Sequence, residues 1–386
     1  ALNVQRADIH PRVSGHIPEI AGMIERLVAN GFAYAVDGDV YFSVRQFKGY
    51  GKLSGRTLED MLAGARVEVD ERKKDPLDFA LWKAAKPGEP AWPSPWGKGR
   101  PGWHIECSAM SLKYLGTKFD IHGGGFDLVF PHHENEIAQS EAATGEPFVR
   151  YWIHNGFITV NEEKMSKSLG NFFLVREILA EFPPELVRFF LLSTHYRSPL
   201  DFDDEKLTAA GRGLERIKTS IRLLTEALEK PADDSAAVLA GELAASFDSY
   251  KNSFESAMED DLNTALAIGV LFDLARETNA AVGRLGASVA PVDRNILSRV
   301  LKLFQSFNDI LGIFKVEVDE RRLLLDGGAG DGAGLNEGLL NLLIEQRQEA
   351  RRKKDWATAD RIRDGLKSLG IVLEDTPQGV RWKKQG

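Results

Sequence analysis

The sequence is poor in cysteine and contains no long apolar run, and each absence excludes a class of protein. Cys107 is the single cysteine among 386 residues, which excludes a disulfide framework within the chain. No apolar stretch approaches the roughly 20 residues that a transmembrane helix needs. Hydrophobic content of 43% and charged content of 27% are ordinary for a soluble globular protein. Together these features favour a cytoplasmic protein without a membrane partner.

The balance of charge sets a second limit. A formal net charge of −8 argues against a protein that coats nucleic acid with a uniformly basic surface. The charge is uneven, however, because residues 347–386 contain 11 Lys and Arg against six Asp and Glu. A basic segment on an acidic body is compatible with contact to one part of an RNA. It is equally compatible with a helix that has a solvated basic face.

Hydrophobic periodicity predicts mixed structure in the first half of the chain. It indicates an amphipathic helix over 17–30 and two short strands around a turn within 32–44. The Pro-, Gly- and Trp-rich segment 73–102 is expected to be an ordered irregular loop held by its indoles. Over 103–160, short apolar stretches alternate with helical patterns, which predicts β/α units. The last of these helices is expected to cover 131–143, with Pro131 in its first turn.

The second half reads as mainly helical. The periodic segments predict a helix bundle with members at 207–229, 238–258, 262–281 and 295–311. Residues 327–334 contain five glycines and predict a flexible linker. The linker is followed by a small module at 335–386, with two helices and two possible strands at 371–373 and 380–382.

Three side chains are plausible zinc ligands: Cys107, His132 and Glu136. His132 and Glu136 are four residues apart on a predicted helix and share one face, whereas His133 and Glu134 would point away and could support the ligands. The chain has no C-x-x-C or H-E-x-x-H pattern. Spacing alone therefore leaves open a buried cysteine and a helix-surface His–Glu pair.

Two further motifs are suited to a phosphate ligand. Lys164, Met165, Ser166, Lys167 and Ser168, followed by Leu-Gly-Asn, form a cationic loop that could hold a polyphosphate. The alternative interpretation is a solvated basic turn.

The second motif is glycine-rich. Gly123, Gly124 and Gly125 follow His122 in a predicted turn, where backbone could approach a ligand closely.

Four of these strings together resemble bacterial cysteinyl-tRNA synthetases, which are class I aminoacyl-tRNA synthetases. They are GWHIECSAM at 102–110, FDIHGGG at 119–125, FPHHENEIAQ at 130–139 and KMSKS at 164–168. The resemblance extends across essentially the whole chain, into 356–360 and 370–375.

The resemblance implies an α/β fold with a class I, Rossmann-like catalytic domain, followed by a helical bundle and a small anticodon-binding module. The implied domains are 1–102 (remnant of the first half of the nucleotide fold plus an insertion), 103–160 (second half of the catalytic domain), 161–206 (lysine loop and stem-contact region), 207–320 (tRNA-binding bundle), 321–334 (linker) and 335–386 (anticodon-binding module).

The resemblance also implies a reaction. ATP, with Mg²⁺, activates L-cysteine to cysteinyl-adenylate, and the cysteinyl group passes to the 3′ end of tRNA(Cys). In this family one zinc ion binds the substrate thiolate, and Cys107, His132 and Glu136 match three of its four protein ligands. Trp103 and His122 match positions that hold the substrate cysteine.

Phosphate and RNA contacts follow from the same resemblance. Lys167, supported by Lys164, is expected to contact phosphate in the transition state, and residues 164–168 and 123–125 to bind ATP. Trp356 and Trp382 are candidates for stacking on bases, or alternatively for a place in a core. A monomer is expected.

Residues 1–4 match a point inside the family's catalytic domain. The HIGH-type sequence and the remaining zinc cysteine would lie upstream of it. We therefore expect this sequence to be an N-terminally truncated form of a longer product.

Two alternatives remain at this stage. One is a related ligase that transfers cysteine to an aminosugar, as in mycothiol biosynthesis. That branch is expected to lack the anticodon module, so the bundle, linker and basic tail argue against it. The other is a truncated tRNA-binding paralogue without catalysis, which the zinc trio and the lysine loop oppose.

Overall fold

The chain folds into two compact units. The computed structural model describes residues 1–64, 71–160, 163–165, 173–232, 237–239, 242–314, 343–344, 346–353, 355–368, 371–376 and 379–384. The first unit comprises 1–215 with 254–269 and 311–313, and the second comprises 216–253, 270–310 and 314–386.

The first unit opens with the predicted helix and hairpin. Helix α1 (Ile17–Ala29) buries one apolar stripe, made of Ile17, Ile20, Met23, Ile24 and Leu27. Strands β1 (Ala33–Val36) and β2 (Asp39–Phe42) pair antiparallel. The two residues between them, Asp37 and Gly38, both have positive φ, as a tight two-residue hairpin turn requires.

The segment predicted as an irregular loop instead completes a sheet. After the short helix α2 (Leu58–Gly64), strands β3 (Phe79–Ala84) and β4 (Gly99–Pro101) extend the hairpin into an antiparallel sheet of order β1-β2-β3-β4. Glycines that look like loop signals permit this pairing. A Cβ at Gly99 would lie 2.3 Å from the Lys83 carbonyl oxygen, and a Cβ at Gly102 would lie 2.0 Å from the Ala80 oxygen.

The predicted β/α units follow. Helix α3 (Trp103–Leu115) leads to β5 (Phe119–Gly125), and helix α4 (Glu134–Thr144) leads to β6 (Val149–Asn155). Strands β5 and β6 are parallel, with Gly124 opposite His154. Helices α1, α3 and α4 pack with the antiparallel sheet in one apolar core, in which Trp82 is fully buried.

Two local predictions in this region were wrong. Residues 123–125 do not form a turn, because all three pair with β6 as part of β5. The helix does not begin at Pro131. A wide helical turn, Val129–His133, comes first, is interrupted by extended backbone at Phe130 (φ −139°, ψ 130°), and leads into α4 at Glu134. A residue before proline is disfavoured in helical geometry, which accounts for the break.

A small sheet leads into the lysine loop. Strand β7 (Ile158–Val160) pairs antiparallel with β8 (Glu163–Lys164) and parallel with β9 (Leu200–Asp201). Helices α5 (Val175–Glu181) and α6 (Pro184–Leu192) lie between β8 and β9 in the sequence. Residues 166–172, which include Ser166, Lys167 and Ser168, lie outside the described residues.

The remaining elements agree with the helical prediction. They are α7 (Asp204–Glu229), α8 (Glu242–Glu259), α9 (Thr264–Val282) and α10 (Pro291–Leu311). Near the C-terminus, a helix (Trp356–Ser368) precedes the antiparallel strands β10 (Ile371–Thr376) and β11 (Gly379–Lys384). The predicted linker at 327–334 lies outside the described residues. Among the described helices, none has the length and apolarity to cross a bilayer.

Candidate amino-acid and metal site

The three predicted zinc ligands converge. Cys107 comes from the first turns of α3, His132 from the turn before α4, and Glu136 from α4 itself. Their sulfur, nitrogen and oxygen atoms all lie within 4.8 Å of one another. His132 and Glu136 are buried and Cys107 is half-buried. Cys107, His132 and Glu136, the candidate ligand set, therefore bring a thiol, an imidazole and a carboxylate close enough together to bind one ion.

A second set shares the same carboxylate. His122, His133 and Glu136 also bring their ligand atoms within 4.8 Å of one another. Oε2 of Glu136 lies 3.2 Å from Nε2 of His122, 3.7 Å from Nε2 of His132 and 3.8 Å from Nε2 of His133. The prediction that His133 points away was wrong, because the wide turn at 129–133 does not follow regular helical spacing.

Glu134 does point away from this group. Its Oε2 accepts hydrogen bonds from the backbone nitrogen of Ser54, at 2.9 Å, and from the Ser54 hydroxyl, also at 2.9 Å. The carboxylate of Glu134 thereby ties α4 to the loop before α2. These hydrogen bonds direct the Glu134 carboxylate toward Ser54 and not toward Cys107, His132 or Glu136.

Glu136 is a buried carboxylate that lacks conventional partners. Its side chain is fully buried, and neither oxygen accepts a well-directed hydrogen bond from any described residue. A buried carboxylate without compensation is strongly disfavoured. The thiol, imidazole and carboxylate donors are those that zinc prefers. The residues present therefore fit a zinc ion, which would supply the missing positive charge.

The thiol at the site is protonated in the absence of a cation. Burial is the main cause, and the carboxylates of Glu136 and Glu106 add to it; together they raise the pKa of Cys107 to about 12. A bound metal ion acts in the opposite direction, because coordination favours the thiolate.

Two histidine pairs orient the imidazoles. Nδ1 of His104 lies 2.9 Å from Nδ1 of His132, and Nδ1 of His133 lies 2.7 Å from Nε2 of His154. Burial lowers the pKa of His104 to about 4, and burial with the neighbouring His122 lowers the pKa of His133 to about 3. Both rings are neutral near pH 7, so one ring of each pair donates to the other. With Nδ1 engaged, His132 presents Nε2 to the ligand set.

The two predicted substrate residues stand beside the ligands. Trp103 begins α3, is 60% exposed, and places its ring 4.6 Å from that of His132. His122 lies on β5, with its ring 4.8 Å from the indole of Trp152. The ligand set thus has an exposed aromatic wall on one side and an imidazole within reach of Glu136 on another.

The glycines of β5 make room for these side chains. A Cβ at Gly124 would lie 2.9 Å from Cε1 of His133, and a Cβ at Gly123 would lie 3.0 Å from the Ile153 oxygen. A Cβ at Gly125 would lie 2.5 Å from Oδ1 of Asp127. Within the protein, these glycines therefore allow close approach by neighbouring groups at ordinary strand geometry.

Family models cover most of the chain. Residues 1–212, more than half of it, match the class I (C) tRNA synthetase catalytic domain. Residues 253–315 match the DALR domain, and 337–382 match the cysteinyl-tRNA ligase anticodon-binding domain. The chain belongs to the cysteine–tRNA ligase family. It is thus a class I aminoacyl-tRNA synthetase that activates L-cysteine with ATP and transfers it to tRNA.

Similar proteins agree with this assignment. The chain is 75% identical over 386 residues to a cysteine–tRNA ligase of Pelotomaculum thermopropionicum, covering all of this chain and 79% of that protein. It is 66% identical to the cysteine–tRNA ligase of Desulforamulus reducens, with the same coverage. These matches include the anticodon-binding domain and support neither the aminosugar ligase nor the inactive paralogue.

A solved structure of another synthetase shares the fold. Mycobacterium tuberculosis methionyl-tRNA synthetase, in complex with methionyl-adenylate, aligns with a TM-score of 0.56 at 13% identity. The alignment covers 86% of this chain and 79% of that one. At this identity the likeness concerns the fold alone.

In this ligase, the described part of the lysine loop is anchored to a strand. Lys164 pairs with Thr159 across β7 and β8, and the Met165 nitrogen lies 3.4 Å from the Ile158 oxygen. The side chain of Lys164 lies outside what the structure describes.

Sequence reasoning did not find three residues of this site. His104, Trp152 and His154 all contact rings of the ligand set. His104 directly follows Trp103, which was a signal that could have been used. Trp152 and His154 face His122 and Gly124 through the pairing of β5 with β6, so only the strand register brings them to the site.

Proposed function

We propose that this ligase selects L-cysteine through one zinc ion held by Cys107, His132 and Glu136. The observation that supports it most directly is the fully buried Glu136 carboxylate, which lies within 4.8 Å of the Cys107 and His132 ligand atoms and accepts no well-directed hydrogen bond from a described residue. Zinc prefers thiolate sulfur to a hydroxyl, so a bound ion would favour cysteine over serine. A site that selects its substrate through a zinc–sulfur bond can reject serine without a second editing site.

The protein side chains position the substrate. His104 holds Nδ1 of His132 and so directs the other ring nitrogen toward the ligand set. Trp103 supplies an exposed indole face against which a small amino acid can pack. His122, packed on Trp152 and near Glu136, supplies a polar edge. We assign Trp103 and His122 to binding of the substrate cysteine.

The chemistry proceeds in two transfers. A carboxylate oxygen of cysteine attacks the α-phosphorus of ATP, and pyrophosphate leaves. The terminal ribose hydroxyl of tRNA(Cys) then attacks the cysteinyl carbonyl, AMP leaves, and the hydroxyl proton is released. Positioning and stabilisation of developing charge account for most catalysis of this kind.

We assign the phosphate contacts to the lysine loop, with Mg²⁺ as the ion carried by ATP. Lys167 and Lys164 would contact phosphate oxygens, while Met165, Ser166 and Ser168 complete the loop. An ammonium group on a flexible stem can follow a phosphate as its charge changes. Residues 123–125 end β5, and we assign them to the nucleotide side of the site.

The domain limits given above are also part of the proposal. Residues 207–320 and 335–386 would contact the tRNA, the latter near the anticodon. Trp356 is 58% exposed at the start of its helix, which suits stacking on a base. A cytoplasmic location and a monomeric state complete the proposal, and sedimentation tests the latter.

Metal analysis with matched variants tests the central assignment. The parent chain should retain about one zinc per chain, whereas Cys107→Ser and Glu136→Gln should lose most of it. The control is Glu146→Gln, which neutralises an exposed carboxylate just beyond α4 and should retain the metal. Cysteine-dependent ATP–pyrophosphate exchange, with serine as comparison, reports the activation step. Equal zinc content in all four chains would refute the ligand assignment.

A further inference from the structure

The second unit contains a cationic groove between α8 and α10. Its lining includes one basic residue from α8, Lys251, and two from α10, Arg299 and Lys302. Phe247, Asp248, Leu303 and Ser306 complete the lining. All of these residues belong to the second unit and lie far in sequence from the amino-acid site.

Arg299 is held in a specific geometry. Its guanidinium carbon lies 4.3 Å from the centre of the Phe247 ring, and Phe247 is only 6% exposed. This cation–π contact holds the guanidinium over a buried ring, while the Arg299 side chain as a whole stays exposed. Neither Arg299 nor Lys302 forms an ion pair with a described residue, and both are exposed. The groove thus presents a guanidinium and an ammonium group that are not engaged in an ion pair with any described residue.

Its charge identifies the class of ligand. The lining carries Arg299 and Lys302, which form no ion pair with a described residue, together with Lys251 and one carboxylate, that of Asp248, on a chain whose formal net charge is −8. A planar guanidinium flanked by ammonium groups matches phosphate oxygens.

We propose that this groove binds the phosphate backbone of the tRNA substrate. Arg299 contacts one phosphate through its N–H edge, and Lys251 and Lys302 contact phosphates on either side. The proposal rests on the tRNA-ligating function above and adds a defined contact site outside the amino-acid site. Asp248 works against this binding, because its carboxylate repels the same phosphates.

Salt-dependent binding of a tRNA(Cys) transcript tests the proposal. Each lost phosphate contact should reduce the magnitude of the slope of log K against log salt concentration by about 1. We therefore expect Arg299→Gln and Lys302→Gln each to weaken binding and to lower this slope. Asp248→Asn should have the opposite effect and tighten binding. Arg299→Lys should keep the slope but weaken binding, since a lysine lacks the stacked fork.

The matched control is Arg276→Gln. Arg276 is an exposed cation on α9 of the same unit, already paired with Asp273 at 2.8 Å. Its removal should leave the affinity and the slope close to those of the parent. Circular dichroism checks that each variant remains folded.

Cysteine-dependent pyrophosphate exchange separates this proposal from the proposed function. Exchange requires no tRNA, so it should be unchanged in every groove variant, and its absence in the parent would concern the activation step of this chain rather than the groove. Unchanged tRNA affinity and slope in both Arg299→Gln and Lys302→Gln would overturn the groove assignment. A second result would also overturn it. If polyglutamate displaced the bound tRNA at concentrations at which a non-cognate RNA did not, the groove would be assigned to an acidic peptide instead.

Discussion

Gly124 and His133 show how a single missing Cβ shapes the site. The His133 ring occupies the space beside Gly124, and Leu128 Cδ1 closes the other side at 3.0 Å from a Cβ built there. We expect Gly124→Ala to force these side chains apart and to lower the free energy of unfolding by about 1–3 kcal/mol. Urea unfolding followed by tryptophan fluorescence measures this, because Trp152 lies 5.0 Å from His133, ring to ring.

The control for this prediction is a glycine in open space. A Cβ at Gly22, within α1, would meet no atom within 4 Å. Gly22→Ala should raise stability by about 0.5–1 kcal/mol, because alanine is the better helix former. Equal effects of the two substitutions would show that His133 is not constrained by Gly124.

The convergence of Cys107, His132 and Glu136 could be predicted from the sequence, but the surroundings of these residues could not. Their side chains are chemically suited to zinc, but residue types and spacing left other interpretations open, and the resemblance to the family brought the three together. His133 was misplaced because regular helical spacing was assumed across the wide turn before α4. His154 could not be found from local pattern, since it reaches His133 from a different strand.

At the scale of elements, the carboxylate of Asp261 binds Tyr196 and Arg197, which precede β9 in the small sheet that carries the lysine loop. Asp261, in the turn between α8 and α9, accepts a hydrogen bond from the Tyr196 hydroxyl at 2.7 Å and pairs with Nε of Arg197 at 2.7 Å. Asp261 and Leu262 both have positive φ, which aims the carboxylate at this segment. Tyr196 in turn accepts a bond from the Gly156 nitrogen, just before β7.

We expect Asp261→Asn to loosen the small sheet that carries the lysine loop. Amides of Gly156, Leu200 and Phe202, which bond across this sheet, should exchange with deuterium about threefold to tenfold faster. The effect is modest because the Arg197 side chain is 62% exposed. Asp273→Asn, which removes an exposed pair on α9, should leave these amides unchanged.

Acid should reproduce this effect in the parent chain. The hydrogen bond from Tyr196 and the charge of Arg197 lower the pKa of Asp261 below its ordinary value. Its contribution is therefore complete above the ordinary Asp pKa of about 3.9 and is lost as the pH falls through the lower pKa of the folded protein. If the Asp261→Asn variant showed the same acid-induced increase in exchange at Gly156, another group would be responsible.

The antiparallel sheet depends on a second carboxylate. Asp78 is 1% exposed and accepts bonds from the Tyr34 hydroxyl at 2.7 Å, the Val44 nitrogen at 3.0 Å and the Asp75 nitrogen at 3.2 Å. Asp78→Ala leaves these donors without an acceptor and should cost about 3 kcal/mol in urea unfolding. The exposed Asp120→Ala on β5 should change stability by no more than about 0.5 kcal/mol.

Elements with strong periodicity were predicted well, and elements defined by pairing were not. The apolar stripe of α1 alone determines a helix, because its residues recur at helical spacing. Strand β4 has only three residues, Gly99–Pro101, and exists through its pairing with β3. Glycine and proline there look like loop signals until the facing strand is known, which is why the segment 73–102 was assigned as irregular.

For the whole molecule, ligand linkage connects the proposed zinc site to measurable stability. A ligand that binds only the folded state stabilises it by about 2.7 kcal/mol at 100 times its Kd. At that concentration, L-cysteine should therefore raise the unfolding temperature of the zinc-loaded chain by about 3 °C. L-serine, whose hydroxyl is a poor zinc ligand, should produce almost no shift at the same concentration.

The cysteine-induced shift in unfolding temperature should be compared before and after removal of the metal. A chelator should lower the unfolding temperature and also abolish the cysteine shift, since the thiolate then has no cation and the Glu136 carboxylate remains buried without compensation. Glu136→Gln should resemble the chelated parent and respond to neither chelator nor cysteine, while Glu146→Gln should respond to both. A cysteine shift that survives chelation would mean that the side chains around Trp103 and His122, rather than a metal ion, recognise the amino acid.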